Sequence, residues 1–384
     1  MADERAFEAE REVGRIHTFF PILPALGNRW AAKRPWEGKT VALNLHLTTL
    51  TAALVRELAL GGGQFVVSAA NPHTTDAGAV DLLRSLGFEV YTGGDGEDRY
   101  AQVLAHEPSL IVDVGFDLLA HLLDHRAHQV PTVAGAVEIT RSGITRLRRR
   151  ERLPFPIVNI NDGRLKPAVE NRHGVGTGLW AAVTQLTGMH LAGRRVVIVG
   201  YGPVGSGLAM YARAAGMSVE VVESDPIRRL FAHYDGYPTP SLEDALGHAN
   251  LLVTATGQPG AITADDLMGR AKSGLVLVNA GHGGNEIDVD SVQRTSQRVD
   301  HVADQVARYR LEDGTRVTVL GDGHPLNIVL NSGSPEPVLL HFAVLGLTLE
   351  WLATAPPLEA EEVLVPTSIE TEAAQTALDA LTHG

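Results

Sequence analysis

The sequence predicts an α/β protein built from two doubly wound parallel-sheet domains with a cleft between them. Three observations carry this. Short β-branched runs alternate with helical segments along most of the chain, which is the pattern of parallel strands joined by helical crossovers. A glycine turn, Gly200-Tyr201-Gly202-Pro203-Val204-Gly205, stands between a strand and a helix in the second half. At 384 residues the chain exceeds one ordinary domain.

Residues 3 to 16 read as a helix with Phe7, Val13 and Ile16 among charges, and Phe19 to Leu26, with its prolines, as an extended entry segment. Strand Thr40 to Leu45, helix Thr49 to Leu60, strand Gln64 to Ala69, helix Ala77 to Leu86, strand Glu89 to Tyr91, helix Arg99 to Ala105 and strand Leu110 to Val114 follow. His46, Asn71 and Asp113 stand at the carboxyl ends of strands, where such sheets bind ligands. Val130 to Ala134 and Pro156 to Ile160 are further apolar strands, and His173 to Thr187 is a helix into the second domain. That domain runs βαβ to near Val319, with loops Ala255-Thr256-Gly257 and Ala280-Gly281-His282-Gly283-Gly284 at strand ends. Asp322-Gly323-His324 is a turn. The apolar helix Pro337 to Leu352 returns to the first domain, and Glu370 to Leu381 closes the chain. The expected domains are 1–188 for substrate, 189–328 for the dinucleotide, and a returning segment, 329–384.

Composition bounds the function. There is no cysteine, which removes disulfides, thiolate catalysis and cysteine-ligated metals. The net charge is −13, and the basic cluster Arg146 to Arg152 lacks an aromatic platform, so it reads as a solvated face rather than a nucleic-acid surface. Neither a signal peptide nor a membrane span is evident, and a cytoplasmic protein with no membrane partner is expected. No ordered His or carboxylate pairs suggest a catalytic metal.

The fingerprint stretch is the most specific signal. Strand Val196 to Val199 enters the glycine turn, helix Gly207 to Ala215 follows, and strand Ser218 to Val222 ends at Glu223. Glycines let the backbone approach a pyrophosphate, the helix N-terminus offers N–H groups to it, and the acid accepts from a ribose diol. The bland alternative is a tight strand–helix turn without ligand. The context favours a Rossmann-like site, and the carboxylate of Glu223 favours NAD over NADP.

The chain resembles the S-adenosylhomocysteine hydrolase family over about residues 10 to 350. The motifs are GYGPVGSG (200–207), VESDP (222–226), TATG (254–257), NAGH…EID (279–288) and RYRLEDG (308–314), with weaker LHLT (45–48), DVGFD (113–117) and INDGRLKPAVEN (160–171). The resemblance implies that NAD transiently oxidises a nucleoside 3′-hydroxyl, which makes C4′–H acidic and lets the C5′ substituent leave. It implies Lys166 as the base near the 3′-hydroxyl, supported by Glu170 and Asn171, with the family's aspartate replaced by Glu170. It places His46 near C5′ and His282 beside the nicotinamide and sugar. Thr48 and Asp113 join Lys166, Glu170 and the two histidines at the substrate. Gly200, Gly202, Pro203, Val204, Gly205, Glu223, Thr254, Thr256, Gly257, Asn279, Gly281 and Asn327 are implied at the cofactor, with Thr140 and Ser142 reaching to it from the first domain. Taken alone, Lys166 could be a surface lysine, the histidines ordinary loop residues, and the Thr, Ser and Asn residues loop caps.

Several family positions differ. Val114 and Ile139 stand in place of acids near the sugar, Leu50 and Ser334 in place of residues near the base, and Val175 in place of a cysteine. The family's C-terminal lysine and tyrosine have no match in ALDALTHG. The losses fall on the substrate side, so a divergent relative from specialised metabolism is expected. It would perform redox-neutral elimination at C5′, as dehydration or thioether cleavage. The alternatives are an ordinary NAD-dependent nucleoside or sugar dehydrogenase and a non-catalytic NAD- or nucleoside-binding relative. The resemblance also implies a homo-oligomer, a dimer or tetramer.

Overall fold

The computed structural model describes residues 2–282 and 285–383. Its strands, in chain order, are β1 Thr40–Leu45, β2 Gln64–Ala69, β3 Glu89–Tyr91, β4 Leu110–Asp113, β5 Gly135–Glu138, β6 Ile157–Asn159, β7 Arg195–Val199, β8 Ser218–Val222, β9 Leu251–Thr254, β10 Leu275–Asn279, β11 Ser296–Ala303, β12 Val306–Leu311, β13 Arg316–Leu320 and β14 Glu362–Leu364. The chain forms two units, Met1–Glu170 with Pro335–Gly384, and Asn171–Ser334. It leaves the first unit earlier, and returns later, than the sequence suggested. Helix Val175–Thr187 belongs to the second unit, where Trp180 Nε1 donates to the Leu208 carbonyl at 3.1 Å. Ser332 Oγ donates to Gln185 Oε1 in the same unit at 3.1 Å.

The first sheet has the order β14-β6-β5-β4-β1-β2-β3, and its pairings are all parallel. Read from β3, this is a doubly wound sheet whose strand order reverses between β1 and β4. The second sheet runs β11-β12-β13-β10-β9-β7-β8. Its parallel part reverses between β7 and β9, so the glycine turn after β7 faces the loop after β9. The βαβ reading fails at its other edge, where β11, β12 and β13 form an antiparallel meander. Short turns replace crossover helices there, and antiparallel neighbours need no more than a turn.

Other expectations need correction. Phe19 to Leu26 is not extended, because helix Ile22–Lys33 begins inside it with Ile22, Leu23, Leu26 and Trp30 buried on one face. Pro21 and Pro24 fall before and within its first turn, where a missing N–H costs no helical bond. Val130 to Ala134 is not a strand. A 3₁₀ turn covers Ala127–Thr132, and the strand is β5, paired with β4 from Leu110↔Gly135 and with β6 from Ala136↔Ile157. Helices Asp117–His125 and Arg141–Leu147 were not anticipated, and neither was β14. The helix after the glycine turn starts at Pro203, not Gly207.

The returning helix Glu336–Thr354 is apolar around most of its circumference, as a helix enclosed by protein must be. Among the described residues it alone is long and apolar enough to cross a membrane, and most of it is buried in the first unit. Glu350 is its buried charge. Its carboxylate accepts from Trp30 Nε1 at 3.1 Å, Lys33 Nζ at 2.9 Å and Arg29 Nη2 at 3.0 Å, tying the helix to Ile22–Lys33. Glu350→Ala leaves the buried indole N–H of Trp30 without its acceptor. We expect a loss of about 2 kcal/mol in urea unfolding, since a buried donor left unpaired carries its full desolvation penalty.

Candidate functional site

In the first unit, the carboxyl ends of β1, β2 and β4 are joined by polar side chains. Ser68 Oγ donates to Asn44 Oδ1 at 2.9 Å, and Asn44 Nδ2 to Asp113 Oδ1 at 2.8 Å. Asp113 also accepts from the N–H groups of Val114 and Leu119, both at 2.8 Å, and is 0% exposed. Beside it Glu138 accepts from the N–H groups of Phe116 at 2.8 Å, Gly115 at 3.2 Å and Thr140 at 2.7 Å, and from the Thr140 hydroxyl at 2.7 Å. Burial pushes Glu138 up to about 7, against the pull of those donors. Burial, and then the neighbouring Glu138, hold Asp113 well above the usual carboxylate range.

This geometry gives both residues structural partners. Asp113 is fully buried and seats the start of helix Asp117–His125. Thr140 caps helix Arg141–Leu147, accepting from Gly143 N at 3.1 Å and Gly115 N at 2.9 Å while donating to Glu138. Ser142 Oγ donates to Thr140 Oγ1 at 3.3 Å.

His46 follows β1, with its Nδ1 2.6 Å from Thr74 Oγ1, which orients the ring. Thr48 caps helix Thr49–Ala59 and is half-buried. Lys166 opens a π-helical stretch, Lys166–Gly174. Wide turns of this kind recur at functional positions. Lys166 Nζ donates to Glu170 Oε2 at 2.7 Å, with side chains only 10% and 17% exposed. Two residues missed in the sequence stand around this pair. Glu370, from the C-terminal helix, accepts from the N–H groups of Arg164 at 2.6 Å and Leu165 at 2.8 Å, fixing the chain just before Lys166. His341, on the returning helix, is buried with both ring nitrogens lacking a hydrogen-bond partner. Burial, and then the Lys166 charge, hold it well below its ordinary value. Val114 and Ile139, in place of family acids, lie in the apolar core.

The second unit tests whether a dinucleotide fits. Gly200 has φ +99°, and a Cβ there would lie 2.5 Å from the Ala255 carbonyl oxygen. A Cβ on Gly205 would overlap the Gly200 carbonyl, whereas Gly202 has only Arg228 Nη1 nearby, at 3.5 Å. The turn is therefore tight where it packs and open at Gly202, the N-cap before Pro203 and Val204. Glu223 Oε2 accepts from Tyr201 N at 2.6 Å and Oε1 from Asp225 N at 2.9 Å. A carboxylate has about four acceptor sites, so capacity for a ribose diol is kept.

At the neighbouring strand ends, Thr254 and Asn279 are fully buried and joined, Oγ1 to Oδ1, at 3.0 Å. Asn279 also accepts from Gly281 N at 2.7 Å and donates to the Gly323 carbonyl at 2.9 Å. Glu286, passed over in the sequence, is 1% exposed and accepts from Thr256 N at 2.8 Å, Thr256 Oγ1 at 2.9 Å and Gly257 N at 2.8 Å. Burial raises its carboxyl. Thr256 and Gly257 are thus shaped by Glu286, and a side chain on Gly281 would overlap it. Asn327 Oδ1 is buried without a hydrogen-bond partner, an acceptor suited to a carboxamide N–H. His282 is half-buried after β10, while Gly283 and Gly284 of the same expected loop lie outside the described residues. The open turn, the acid after β8 and the orphaned Asn327 acceptor fit NAD.

A family model described as "S-adenosyl-L-homocysteine hydrolase, NAD binding domain" matches residues 171–333, nearly the whole of the second unit. The S-inosyl-L-homocysteine hydrolase of Methanopyrus kandleri is 34% identical over 372 residues, covering 94% of this chain and 88% of that protein. The adenosylhomocysteinase of Pyrococcus abyssi is 33% identical, covering 90% of this chain and 84% of that protein. That of a Nostoc species is 33% identical, covering 94% and 87%.

The buried His341 makes a prediction. Its folded-state value lies below that of the unfolded chain, so the unfolded chain takes up a proton first as pH falls. The stability linked to neutral His341 is complete above about 6.5 and declines as pH drops toward the folded-state value. Relative to His341→Leu, the wild type should lose up to about 1.4 kcal/mol per pH unit below 6.5. Urea midpoints at pH 7.5 and 5.5 measure this. Equal pH slopes in the two proteins would refute it.

Proposed function

The chain belongs to the S-adenosyl-L-homocysteine hydrolase family, and on that premise we propose that it performs redox-neutral elimination at C5′ of a nucleoside. The bound NAD supplies a reversible two-electron oxidant for the 3′-hydroxyl. The observation that carries the proposal is the Lys166–Glu170 pair, a shielded cation held at 2.7 Å by a carboxylate on the same turn. Lys166 takes the 3′-hydroxyl proton as the neutral amine, after its own ammonium proton has passed to Glu170, and Glu170 keeps Nζ in place for it. Glu370 supports the pair through the backbone N–H groups of Arg164 and Leu165.

Once C3′ is a carbonyl, the C4′ hydrogen is alpha to it and can be removed. His282 is assigned to the sugar and His46 to the leaving group, since imidazole donates and accepts near neutral pH. The Thr74 hydroxyl holds the His46 ring for that task. Return of two electrons to C3′ restores the hydroxyl and leaves no net oxidation.

The burial of Val114 and Ile139 in the core favours a substrate other than the usual thioether nucleoside. Sites built to pair substrate hydroxyls discriminate strongly, and removing an acid abolishes that preference. Loss of water from the 5′-hydroxyl is the reading we favour; cleavage of a C5′ thioether is the second, and the names of the relatives favour it.

Purified protein incubated with S-adenosylhomocysteine, S-inosylhomocysteine, adenosine and related nucleosides separates these by product mass. A nucleoside lighter by one water, without net NADH, is the expected product. Homocysteine release would support thioether cleavage, and NADH in step with product an ordinary dehydrogenase. NAD binding with no turnover of any substrate would support a non-catalytic relative. Lys166→Ala should lower turnover by about a hundredfold or more while NAD still binds. Wild-type turnover in that variant would sink the mechanism.

A further inference from the structure

Helices Gly96–Leu104 and Asp117–His125 pack together on the first unit. His121 and His125 lie one turn apart on the second helix, and Glu97 lies in the first turn of the other. One donor atom from each of the three falls within 4.8 Å of the others. His121 Nδ1 is 2.7 Å from Glu97 Oε2, and His125 Nε2 is 3.8 Å from the same oxygen. The two imidazole rings are 5.0 Å apart, centre to centre.

His121 makes this more than a surface ion pair. Its side chain is only 7% exposed, and neither ring nitrogen has a hydrogen-bond partner. The close approach to Glu97 is too poorly aligned to be a hydrogen bond. A buried imidazole with both nitrogens unsatisfied is costly. A cation placed among the three donors would relieve that cost. In a tetrahedral zinc site, with bonds of about 2.0 to 2.2 Å, neighbouring donors lie roughly 3.4 Å apart. The separations here bracket that value, so small side-chain rotations close the set. Two histidines at i and i+4 on one helical face, with a carboxylate from elsewhere, are a standard donor set for zinc-class ions.

We propose that Glu97, His121 and His125 form a binding site for a divalent transition-metal ion of the zinc class, with an open fourth position for water. The site shares no residue with Lys166, His46 and His282. Its ion would clamp helix Asp117–His125 against helix Gly96–Leu104. The N-terminus of the clamped helix is the one seated by Asp113 and Glu138, so the ion would brace the element on which those carboxylates act.

The test uses the untagged full-length protein, stripped with a chelator. Titration with Zn²⁺ by calorimetry, and with Co²⁺ by absorption in the visible range, should give one site per chain. Glu97→Gln and His125→Ala should each weaken binding at least about tenfold, and both alter exposed side chains, so the fold should survive. His233→Ala, an exposed histidine elsewhere, should bind as the wild type does. Zinc should also raise the melting temperature of the wild type and not of His125→Ala. Absence of binding at micromolar zinc, or equal affinity in wild type, Glu97→Gln and His125→Ala, would overturn the proposal.

Discussion

The carboxyl end of the first sheet depends on two buried carboxylates whose partners are mostly backbone N–H groups. Asp113 and Glu138 collect donors from residues 114 to 119 and from residue 140, and thereby set the path of the chain past β4 and β5. The arrangement trades solvation for direction. Both acids titrate well above their usual range, so the protonated forms persist further toward neutrality than in water. Because the folded-state value of Glu138 exceeds that of an unfolded glutamate, its linked stability is complete below about 4.5. It is lost as pH rises through about 7. His341 acts in the opposite sense over much of the same acid range, so the two contributions oppose each other below about pH 7.

The neighbours of the two acids are apolar. Val114 follows Asp113 directly, and Ile139 follows Glu138 directly. Adjacent residues on an extended segment point to opposite sides. Asp113 and Glu138 serve the scaffold, whereas their neighbours Val114 and Ile139 lie in the apolar core. Apolar side chains at those neighbours leave the scaffold intact. Lys166 is held by one distant and one local part, with Glu370 fixing the backbone before it and Glu170, one turn on, gripping its amine.

Much of this was legible in the sequence where a local pattern carried it. The β7–turn–helix–β8 fingerprint was readable because its glycines, strands and acid are adjacent, and strand Ser218–Val222 appears with the expected ends. Helix Ile22–Lys33 was hidden by Pro21 and Pro24, since local composition does not reveal that they sit where proline is tolerated. Glu286, Glu370 and His341 were missed because their roles come from contacts many residues away. Asp113, Thr254 and Asn279 stand at strand ends, and their complete burial there comes from the packed sheet, which no local pattern carries. The histidine spacing at 121 and 125 was in plain view, but Glu97 joins it only through helix packing.

The last strand of the first sheet, β14, and the helix bearing Glu370 come from the final stretch of the chain. Their order of synthesis is therefore the reverse of their structural priority. The second unit is a continuous segment and can close on itself as it leaves the ribosome, whereas the first must wait with an open sheet edge until the final turn emerges. During that interval the edge of β6 is uncovered and the turn before Lys166 has no carboxylate to hold it. A nascent chain would thus be competent to bind its dinucleotide before Lys166 is in position. Protease resistance of ribosome-arrested chains should accordingly arise first in residues 171–334, and the reverse order would refute this sequence of events.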